Sequence, residues 1–294
     1  MTQVSHPNVL VVDIGGTHIK MLATGQSQSQ RFPSGSTMTP KHMVSGVKKL
    51  TAEWKYDVVS IGYPGPVFQD RPLAEPHHLA AGWIGFPFRK AFGCPVKVIN
   101  DAAMQALGSY RGGKLLFLGL GTGLGSAMVV DGIVEPMELG HLPYKKGTYE
   151  EYVGLRGLEK WGKKKWRCHV ADVVARLIAA LLPDDVVLGG GNVKKLKELP
   201  RGCRKGDNAC AFVGGFRLWG QTDDRSCPLP KRPGTRGLDR RLPNGNTNRT
   251  LVNRSQSNRY SLGRPRHDIS RIRRESGTAS TNLIRKKVFE GSIT

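Results

Sequence analysis

The chain has 294 residues and a formal net charge of +22, from 45 lysines and arginines against 23 aspartates and glutamates. That length suffices for one or two domains with sizeable cores, and no apolar run approaches the ~20 residues that a membrane-spanning helix needs, so we expect no membrane partner. Five scattered cysteines show no metal-ligand spacing, and a core strand begins within about ten residues of the N-terminus, before any secretion signal would fit. We therefore expect a cytoplasmic protein with reduced thiols.

The first predicted unit is a strand, a glycine loop and a second strand. The strand at 9–13 ends on Asp13, the next strand lies at 19–23, and three turn residues lie between them: Gly15, Gly16 and Thr17. Glycines let backbone amides approach an anion closely, and a carboxylate such as Asp13 suits Mg²⁺, directly or through water. The loop is neither a Walker phosphate loop nor a dinucleotide-binding fingerprint.

A helical pattern at 40–54 and strands at 58–62 and 96–99 follow, and then Asn100 and Asp101 open a helix predicted to run to about residue 110. Asp101 thus lies where a strand ends and a helix begins. An aspartate there is commonly a helix cap. The alternative is a general base directed into a cleft, and the glycine loops elsewhere in the chain favour that alternative.

A second glycine loop joins two apolar runs over residues 115–130, followed by a tight turn at Asp131 and Gly132. Its tip is formed by Gly121, Thr122 and Gly123. The pattern predicts a β-hairpin, whose tip is either merely flexible or binds phosphate through amides and the threonine hydroxyl. The presence of two such loops favours phosphate binding.

Strands and helices continue to alternate through the second half of the chain. Apolar residues at helical spacing predict a helix over 166–182. A short strand at 186–188 follows, and residues 189–192, Gly-Gly-Gly-Asn, are expected to open another helix. This alternation predicts an α/β layered fold.

The composition changes after about residue 220. Residues 221–294 contain 17 lysines and arginines against 6 aspartates and glutamates, with few apolar residues and no periodicity. Such a segment buries too little surface to offset chain entropy, so we expect disorder and only nonspecific nucleic-acid binding. Three origins stay open: a polyanion-binding arm, a partner-docking tail, or translated sequence without a selected function.

Six motifs occur in an order that resembles the sugar kinases of the ROK family (repressors, open reading frames, kinases), within the actin-like ATPase superfamily. They are DIGGTHIK at 13–20, GYPGPV at 62–67, NDAA at 100–103, GLGTGLG at 119–125, ELGH at 138–141 and LGGGN at 188–192. The resemblance covers about residues 9–219, is strongest to polyphosphate/ATP glucokinases, and implies a two-lobed ribonuclease H-like fold. The implied units are an N-terminal lobe at 1–110, a C-terminal lobe at 111–220 and the basic tail at 221–294.

The resemblance also implies roles for individual residues. Asp101 is the general base for the sugar's primary hydroxyl, and Asp13 organises Mg²⁺, directly or through water. The residues implied in sugar binding are Asn100, Asp101, Gly65, Glu138, His141 and Glu150. Those implied in phosphate or nucleotide binding are Asp13, Gly15, Gly16, Thr17, Gly121, Thr122, Gly123, Gly190 and Gly191.

The implied reaction is phosphoryl transfer from polyphosphate or ATP to the 6-hydroxyl of glucose or a related hexose. A kinase for fructose or an N-acetylated amino sugar, and a non-catalytic sugar sensor with a nucleic-acid-binding tail, are the alternatives. His141 is not followed by the cysteines of the family's zinc loop, so we expect Mg²⁺ and no zinc. Relatives carry an asparagine near the position of His77 and His78, which leaves the hexose open, and the sequence does not decide whether the chain forms a homodimer.

Overall fold

The buried apolar runs of the sequence form strands of two five-stranded sheets, and four short strands form two further two-stranded sheets. The structure is a computed structural model, and it describes residues 6–220. The strands are β1 (Val9–Ile14), β2 (His18–Ala23), β3 (Gln30–Pro33), β4 (Val58–Tyr63), β5 (Val67–Phe68), β6 (Arg71–Pro72), β7 (Val96–Asn100), β8 (Lys114–Leu120), β9 (Leu124–Val130), β10 (Ile133–Met137), β11 (Pro143–Tyr144), β12 (Gly147–Thr148), β13 (Asp185–Gly189) and β14 (Cys203–Lys205).

Six helices and two 3-10 turns connect these strands. The helices are α1 (Pro40–Leu50), α2 (Phe88–Phe92), α3 (Asp101–Ser109), α4 (Tyr149–Val153), α5 (Leu155–Leu181) and α6 (Cys210–Arg217), and the turns are Leu139–His141 and Val193–Lys195. The described residues all belong to one unit, Met1–Thr235. The predictions for residues 221–294 lie outside the described residues.

The first sheet has the strand order β3-β2-β1-β4-β7. Strands β1, β4 and β7 run parallel, whereas β2 returns antiparallel to β1. Every residue of β1 and β4 is buried, as expected for parallel strands covered on both faces. Asp13 pairs with Gly62, and Tyr63 pairs with Asn100. The carboxyl ends of the three parallel strands therefore meet at one edge, where ligands commonly bind in open α/β sheets.

The second sheet has the order β10-β9-β8-β13-β14. The predicted hairpin over 115–130 is present as β8 and β9, with Gly119 opposite Gly125 and Leu120 opposite Leu124. Strand β13 runs parallel to β8. The predicted α/β layers are thus confirmed. The second glycine loop, residues 121–123, joins β8 to β9.

Two helix predictions were wrong. Helix α5 begins at Leu155 rather than at 166, and it is broken at Gly162, whose φ of 68° and ψ of 163° are not helical. The break interrupts the apolar spacing, which hides the first turns from a periodicity argument. The helix expected after residues 189–192 is only the single turn Val193–Lys195, because Gly190 has a φ of 84° and the following backbone is hydrogen-bonded to β8.

Helix α6 returns from the end of the described chain to the first sheet. Gly215 packs against Val11, and the Ser60 hydroxyl donates to the Gly215 carbonyl oxygen at 2.7 Å. On its other side α6 crosses α3 so closely that any side chain at Gly108 or Gly214 would meet backbone atoms. This helix therefore ties the last described residues to the first strand, while the lobe boundary at residue 110 stays a prediction.

Cys94, Cys168 and Cys203 carry free thiols, as predicted. Within residues 6–220, none of the helices combines the length and the apolar character needed to cross a membrane.

Candidate active site

Asp13 lies at the end of β1 and is 9% exposed. Its register partner on β2 is Lys20, and the Lys20 Nζ lies 3.5 Å from the Asp13 Oδ2. Burial raises the pKa of Asp13 above its ordinary value, and the positive charge of Lys20 opposes that shift. The lysine therefore helps to keep the carboxylate ionised inside the fold.

Asp101 begins α3 and is partly buried. Its Oδ1 accepts a hydrogen bond from its neighbour's amide, Ala102 N, at 2.7 Å. Burial, chiefly, and then the negative charges of Asp13 and Glu138 raise the pKa of Asp101 to about 7. A carboxylate with this pKa can accept a proton near neutral pH, which is the property required of a general base.

Asn100 connects the end of β7 to the loop after β4. Its Oδ1 accepts a hydrogen bond from Ala103 N at 3.1 Å, which caps α3, and its Nδ2 donates to the Gly65 carbonyl oxygen at 3.1 Å. Both polar ends of the amide are thus used, and Asn100, Gly65 and Asp101 are held together. The helix-cap interpretation therefore applies to Asn100, which leaves the Asp101 carboxylate at the first position inside the helix.

Glu138, His141 and Glu150 are brought together beyond β10. The His141 amide donates to the Glu138 carbonyl oxygen at 3.2 Å, and the His141 Nε2 lies 4.0 Å from the Glu150 Oε1. The His141 side chain is 67% exposed and that of Glu150 is 40% exposed. These polar groups face open space and can therefore reach a ligand.

Glu150 and Glu151 have different roles in the structure. Glu151 accepts a hydrogen bond from the Thr148 amide at 2.8 Å and completes a capping box at the start of α4. Glu150 instead lies against the second glycine loop, since a methyl group at Gly123 would lie 2.5 Å from its Oε2. The sequence resemblance selects Glu150, and the geometry separates it from its neighbour in the same way.

The first glycine loop is held by the strands on either side. The Gly15 amide donates to the His18 carbonyl oxygen at 3.0 Å, and the Ser34 hydroxyl donates to the Gly15 carbonyl oxygen at 2.6 Å. Gly16 lies beneath His78, because a methyl group at Gly16 would be 3.3 Å from the His78 Cβ. The Thr17 hydroxyl oxygen lies 3.3 Å from the His18 Nδ1.

The second glycine loop is held by the loop that follows β13. Asn192 Nδ2 donates to the Gly121 carbonyl oxygen at 2.8 Å, and the Asn192 amide donates to the Leu120 carbonyl oxygen at 2.9 Å. Gly190 packs so closely on this strand that a methyl group there would lie 2.5 Å from the Leu120 oxygen, whereas no atom lies within 4 Å of a methyl group at Gly191. Gly190 is thus required for packing, and Gly191 borders open space.

Close contacts join the second glycine loop to the Asp101 helix. A methyl group at Gly125 would lie 3.1 Å from the Ala102 Cβ, and one at Gly62 would lie 3.7 Å from the Asp101 Cα. The start of α3, which carries Asp101, therefore lies beside the base of the β8–β9 hairpin. None of the hydrogen bonds and contacts described above joins the first glycine loop (Gly15, Gly16 and Thr17) to Gly190 or Gly191.

Sequence reasoning assigned no role to Lys20 or to the contact between His78 and Gly16. The signal for Lys20 was its position seven residues after Asp13 across a tight hairpin, which makes the two residues register partners. His78 was noted only as a departure from relatives. Its approach to Gly16 depends on the loop between β6 and α2 and left no local pattern.

The donor set can be tested against the expected metals. Mg²⁺ is usually held by one or two carboxylates together with substrate phosphates and water, and Asp13, beside the glycine loops, fits that role. No group of three or more histidine, cysteine or acidic side chains within the described residues could hold a metal by itself. After His141 the chain places Tyr144, whose hydroxyl donates to the Asp172 Oδ2 at 2.7 Å. The absence of zinc stays a prediction.

This arrangement combines three chemical capabilities from elements of the two sheets. A carboxylate with a near-neutral pKa can accept a proton from a hydroxyl. Neighbouring amide, carboxylate and imidazole groups can bind further hydroxyls with defined geometry. Glycine loops and a buried carboxylate with its lysine can bind phosphate and Mg²⁺. Together these capabilities suit phosphoryl transfer to an alcohol, which depends on positioning and charge neutralisation.

Comparisons with known proteins support the same chemistry. A model of the ROK family matches residues 9–157. Over 211 residues the chain is 30% identical to a polyphosphate glucokinase of Mycobacterium tuberculosis, a match that covers 63% of this chain and 77% of the relative. It is also 25% identical over 231 residues to a putative fructokinase of Bacillus subtilis, covering 61% of this chain and 76% of that protein.

The fold is similar to that of an inorganic polyphosphate/ATP-glucomannokinase from Arthrobacter sp. strain KM. The TM-score is 0.64 at 23% sequence identity, and the match covers 74% of this chain and 99% of that one. The expected α/β fold is confirmed by this likeness.

Proposed function

The chain belongs to the ROK family and is a sugar kinase, and from that premise we propose that it transfers the terminal phosphoryl group of ATP or polyphosphate to the 6-hydroxyl of glucose or a related hexose. The observation that carries the proposal is Asp101. It begins α3 with a pKa raised to about 7, beside Asp13 and Glu138. A sugar sensor that performs no transfer would have no use for such a base.

Asp101 accepts the proton of the sugar hydroxyl as that oxygen attacks the phosphoryl group. Asn100 is already fixed by Ala103 and Gly65, so the second N–H of its Nδ2 is positioned to donate to a neighbouring hydroxyl. The remaining ring hydroxyls are bound by Glu138, His141 and Glu150, which lie close together beyond β10. Gly65 lets the backbone approach the sugar.

Phosphates are bound by the two glycine loops through the amides of Gly15, Gly16, Gly121 and Gly123 and the hydroxyls of Thr17 and Thr122. Gly190 and Gly191 border the nucleoside when ATP is the donor. Asp13 holds Mg²⁺, which neutralises phosphate charge when it is bound. Lys20 favours the ionised form of Asp13 and brings a positive charge to the same region.

A second hexose class is the main alternative. His78 lies over Gly16, and the resemblance places an asparagine near that position in relatives. An imidazole there has a different shape and different hydrogen-bonding capacity from an amide. A fructokinase-like or N-acetylated amino-sugar substrate is therefore the alternative, and one relative is named as a putative fructokinase.

The test is a coupled assay of the purified full-length chain with a panel of hexoses, each with ATP and with polyphosphate. We expect the largest kcat/KM with glucose or a closely related hexose, dependence on Mg²⁺, and no loss with a zinc-selective chelator. Asp101→Asn is the matched control for contaminating kinases. Absence of phosphorylation with every hexose and both donors, while glucose still binds, would support the sugar-sensor alternative instead. One tightly held zinc per chain would contradict the prediction about metal.

A further inference from the structure

The positive charge of the second half of the described chain is concentrated in two segments. Residues 154–167 contain six basic residues against one acidic, and residues 190–198 contain three against one. Residues 111–220 as a whole contain 18 basic residues against 11 acidic. The excess of seven in these two short segments therefore accounts for the entire excess of this half of the chain.

Both segments begin at the second glycine loop. The Leu155 amide donates to the Thr122 carbonyl oxygen at 2.9 Å, so Arg156 follows directly on a residue bound to the loop. Asn192, bound to Gly121 and Leu120, precedes Lys194 by two residues. Two neighbouring chain segments with basic side chains therefore extend from the second glycine loop.

The two segments are also in contact farther along α5. The Arg167 Nε donates to the Lys195 carbonyl oxygen at 2.8 Å. The first part of α5, Leu155 to Trp161, extends about 10 Å at 1.5 Å per residue, and Gly162 then redirects the chain before Lys163. Within each part the basic residues recur at i and i+4, as Arg156 with Lys160 and Lys163 with Arg167, which places each pair on one face.

We call these side chains the basic track: Arg156, Lys160, Lys163, Lys164, Arg167 and Lys194. All but Arg167 are exposed, and Arg167 is half-buried. None of the six forms an ion pair with an acidic side chain of the described residues. A surface of uncompensated cations that starts at a phosphate loop attracts polyanions, with counterion release as the driving force.

We propose that the basic track binds long-chain inorganic polyphosphate and delivers its terminal phosphate to the loop at Thr122. The proposal rests on the proposed function, since it concerns the donor of that same site. A nucleic acid fits less well, because base binding uses exposed aromatic faces. Trp166 is fully buried, and Trp161 is stacked on Tyr152 with ring centroids 5.6 Å apart.

The first experiment is a lysine-reactivity footprint of the full-length chain, read by mass spectrometry, with and without long-chain polyphosphate and without hexose. We expect acylation of Lys160, Lys163, Lys164 and Lys194 to fall several-fold on addition of polyphosphate. The exposed lysines of α1 serve as the internal control and should keep their reactivity: Lys41, Lys48 and Lys49. Equal protection of both sets, or protection of neither, would overturn the proposal.

The second experiment separates donors by kinetics. The triple variant Lys160→Gln/Lys163→Gln/Lys164→Gln should raise KM for long-chain polyphosphate roughly tenfold at low salt and reduce its salt dependence, since each lost phosphate contact lowers the log–log slope by about 0.7–0.9. KM for ATP and tripolyphosphate should stay within about twofold, because these donors end near the loop. The control variant Lys41→Gln/Lys48→Gln/Lys49→Gln removes the same charge elsewhere and should change none of these values.

The outcomes also distinguish this inference from the proposed function. If ATP drives hexose phosphorylation but polyphosphate does not protect the lysines of the basic track, the basic-track proposal is contradicted and the proposed function is not. Absence of hexose phosphorylation with every donor would contradict the proposed function, whereas the footprint would still report polyphosphate binding. Stronger protection by single-stranded RNA than by polyphosphate of equal charge would overturn the choice of partner.

Discussion

Lys20 faces Asp13 across the β1–β2 hairpin, with the Lys20 Nζ 3.5 Å from the Asp13 Oδ2. Lys20 opposes the rise in the pKa of Asp13 that burial causes, and the charge of an ionised Asp13 raises the pKa of Asp101. The candidate metal ligand and the candidate base are therefore electrostatically coupled.

Asp101→Asn should keep hexose binding and lose most turnover. The amide has nearly the same shape but cannot accept the hydroxyl proton, and a general base contributes about 10²–10⁴-fold. Steady-state kcat, together with calorimetric titration of hexose, measures both properties. Turnover within a few fold of the parent would exclude Asp101 as the base.

The pH dependence of kcat/KM should report the raised pKa of Asp101. Activity needs the ionised form, so kcat/KM should rise with pH through a single ionisation with its midpoint at about 7. Glu138→Gln should move that midpoint to lower pH, because it removes a negative charge that raises the pKa of Asp101. An unchanged midpoint in this variant would mean that the titrating group is not Asp101.

The same group should make the fold less stable as the pH rises. The folded-state pKa of about 7 exceeds the ordinary value of 3.8, so stability is lost progressively between these values and ionised Asp101 opposes folding above them. Asp101→Asn should therefore raise the free energy of unfolding at pH 8 by about 1–3 kcal/mol, discounted for partial exposure. Urea unfolding at pH 8 and at pH 4 checks the sign, and the gain should be small at the lower pH.

Gly190→Ala and Gly191→Ala form a matched pair. Gly190 has a φ of 84°, and its added methyl group would meet the Leu120 backbone, so the first substitution should cost about 1–3 kcal/mol and raise KM for ATP. Gly191 has open space and no positive φ, so the second should change stability by less than ~0.5 kcal/mol. Equal thermal unfolding temperatures for the two variants would contradict the described packing.

Glu150→Ala and Glu151→Ala should affect different measurements. Loss of the Glu150 carboxylate should raise the hexose KM roughly tenfold or more, since a hydrogen bond to a charged group is worth about 1.5–3 kcal/mol. Loss of Glu151 removes the capping box and should cost about 0.5–2 kcal/mol of stability with an unchanged hexose KM. The reverse pattern would assign sugar binding to Glu151.

Local sequence patterns were sufficient for the features that depend on neighbours in the chain. The strand that ends on Asp13, the helix that starts at Asp101 and the hairpin around Thr122 follow from apolar runs punctuated by glycine and polar residues. The choice of Glu150 over Glu151 rests only on resemblance, although the Thr148-x-x-Glu151 spacing of a capping box distinguishes the two carboxylates locally.

Features that depend on distant contacts were not predictable in this way. The start of α5 was hidden by the break at Gly162, where a backbone conformation rather than the residue pattern decides the path. The contact of His78 with Gly16 joins residues 62 positions apart. The short turn after Gly190 replaces the predicted helix because Asn192 is bound to β8 instead.

The return of α6 to the first sheet has a consequence for synthesis on the ribosome. Val9 and Val11 are among the first core residues to be translated, yet Ala211 and Phe216, which pack in the same cluster, are translated some 200 residues later. Part of one face of the first sheet, which α6 covers in the finished fold, therefore stays uncovered while most of the described chain is made. A nascent chain released before α6 would expose this apolar face, so cotranslational folding of the N-terminal half cannot finish until the last described helix emerges.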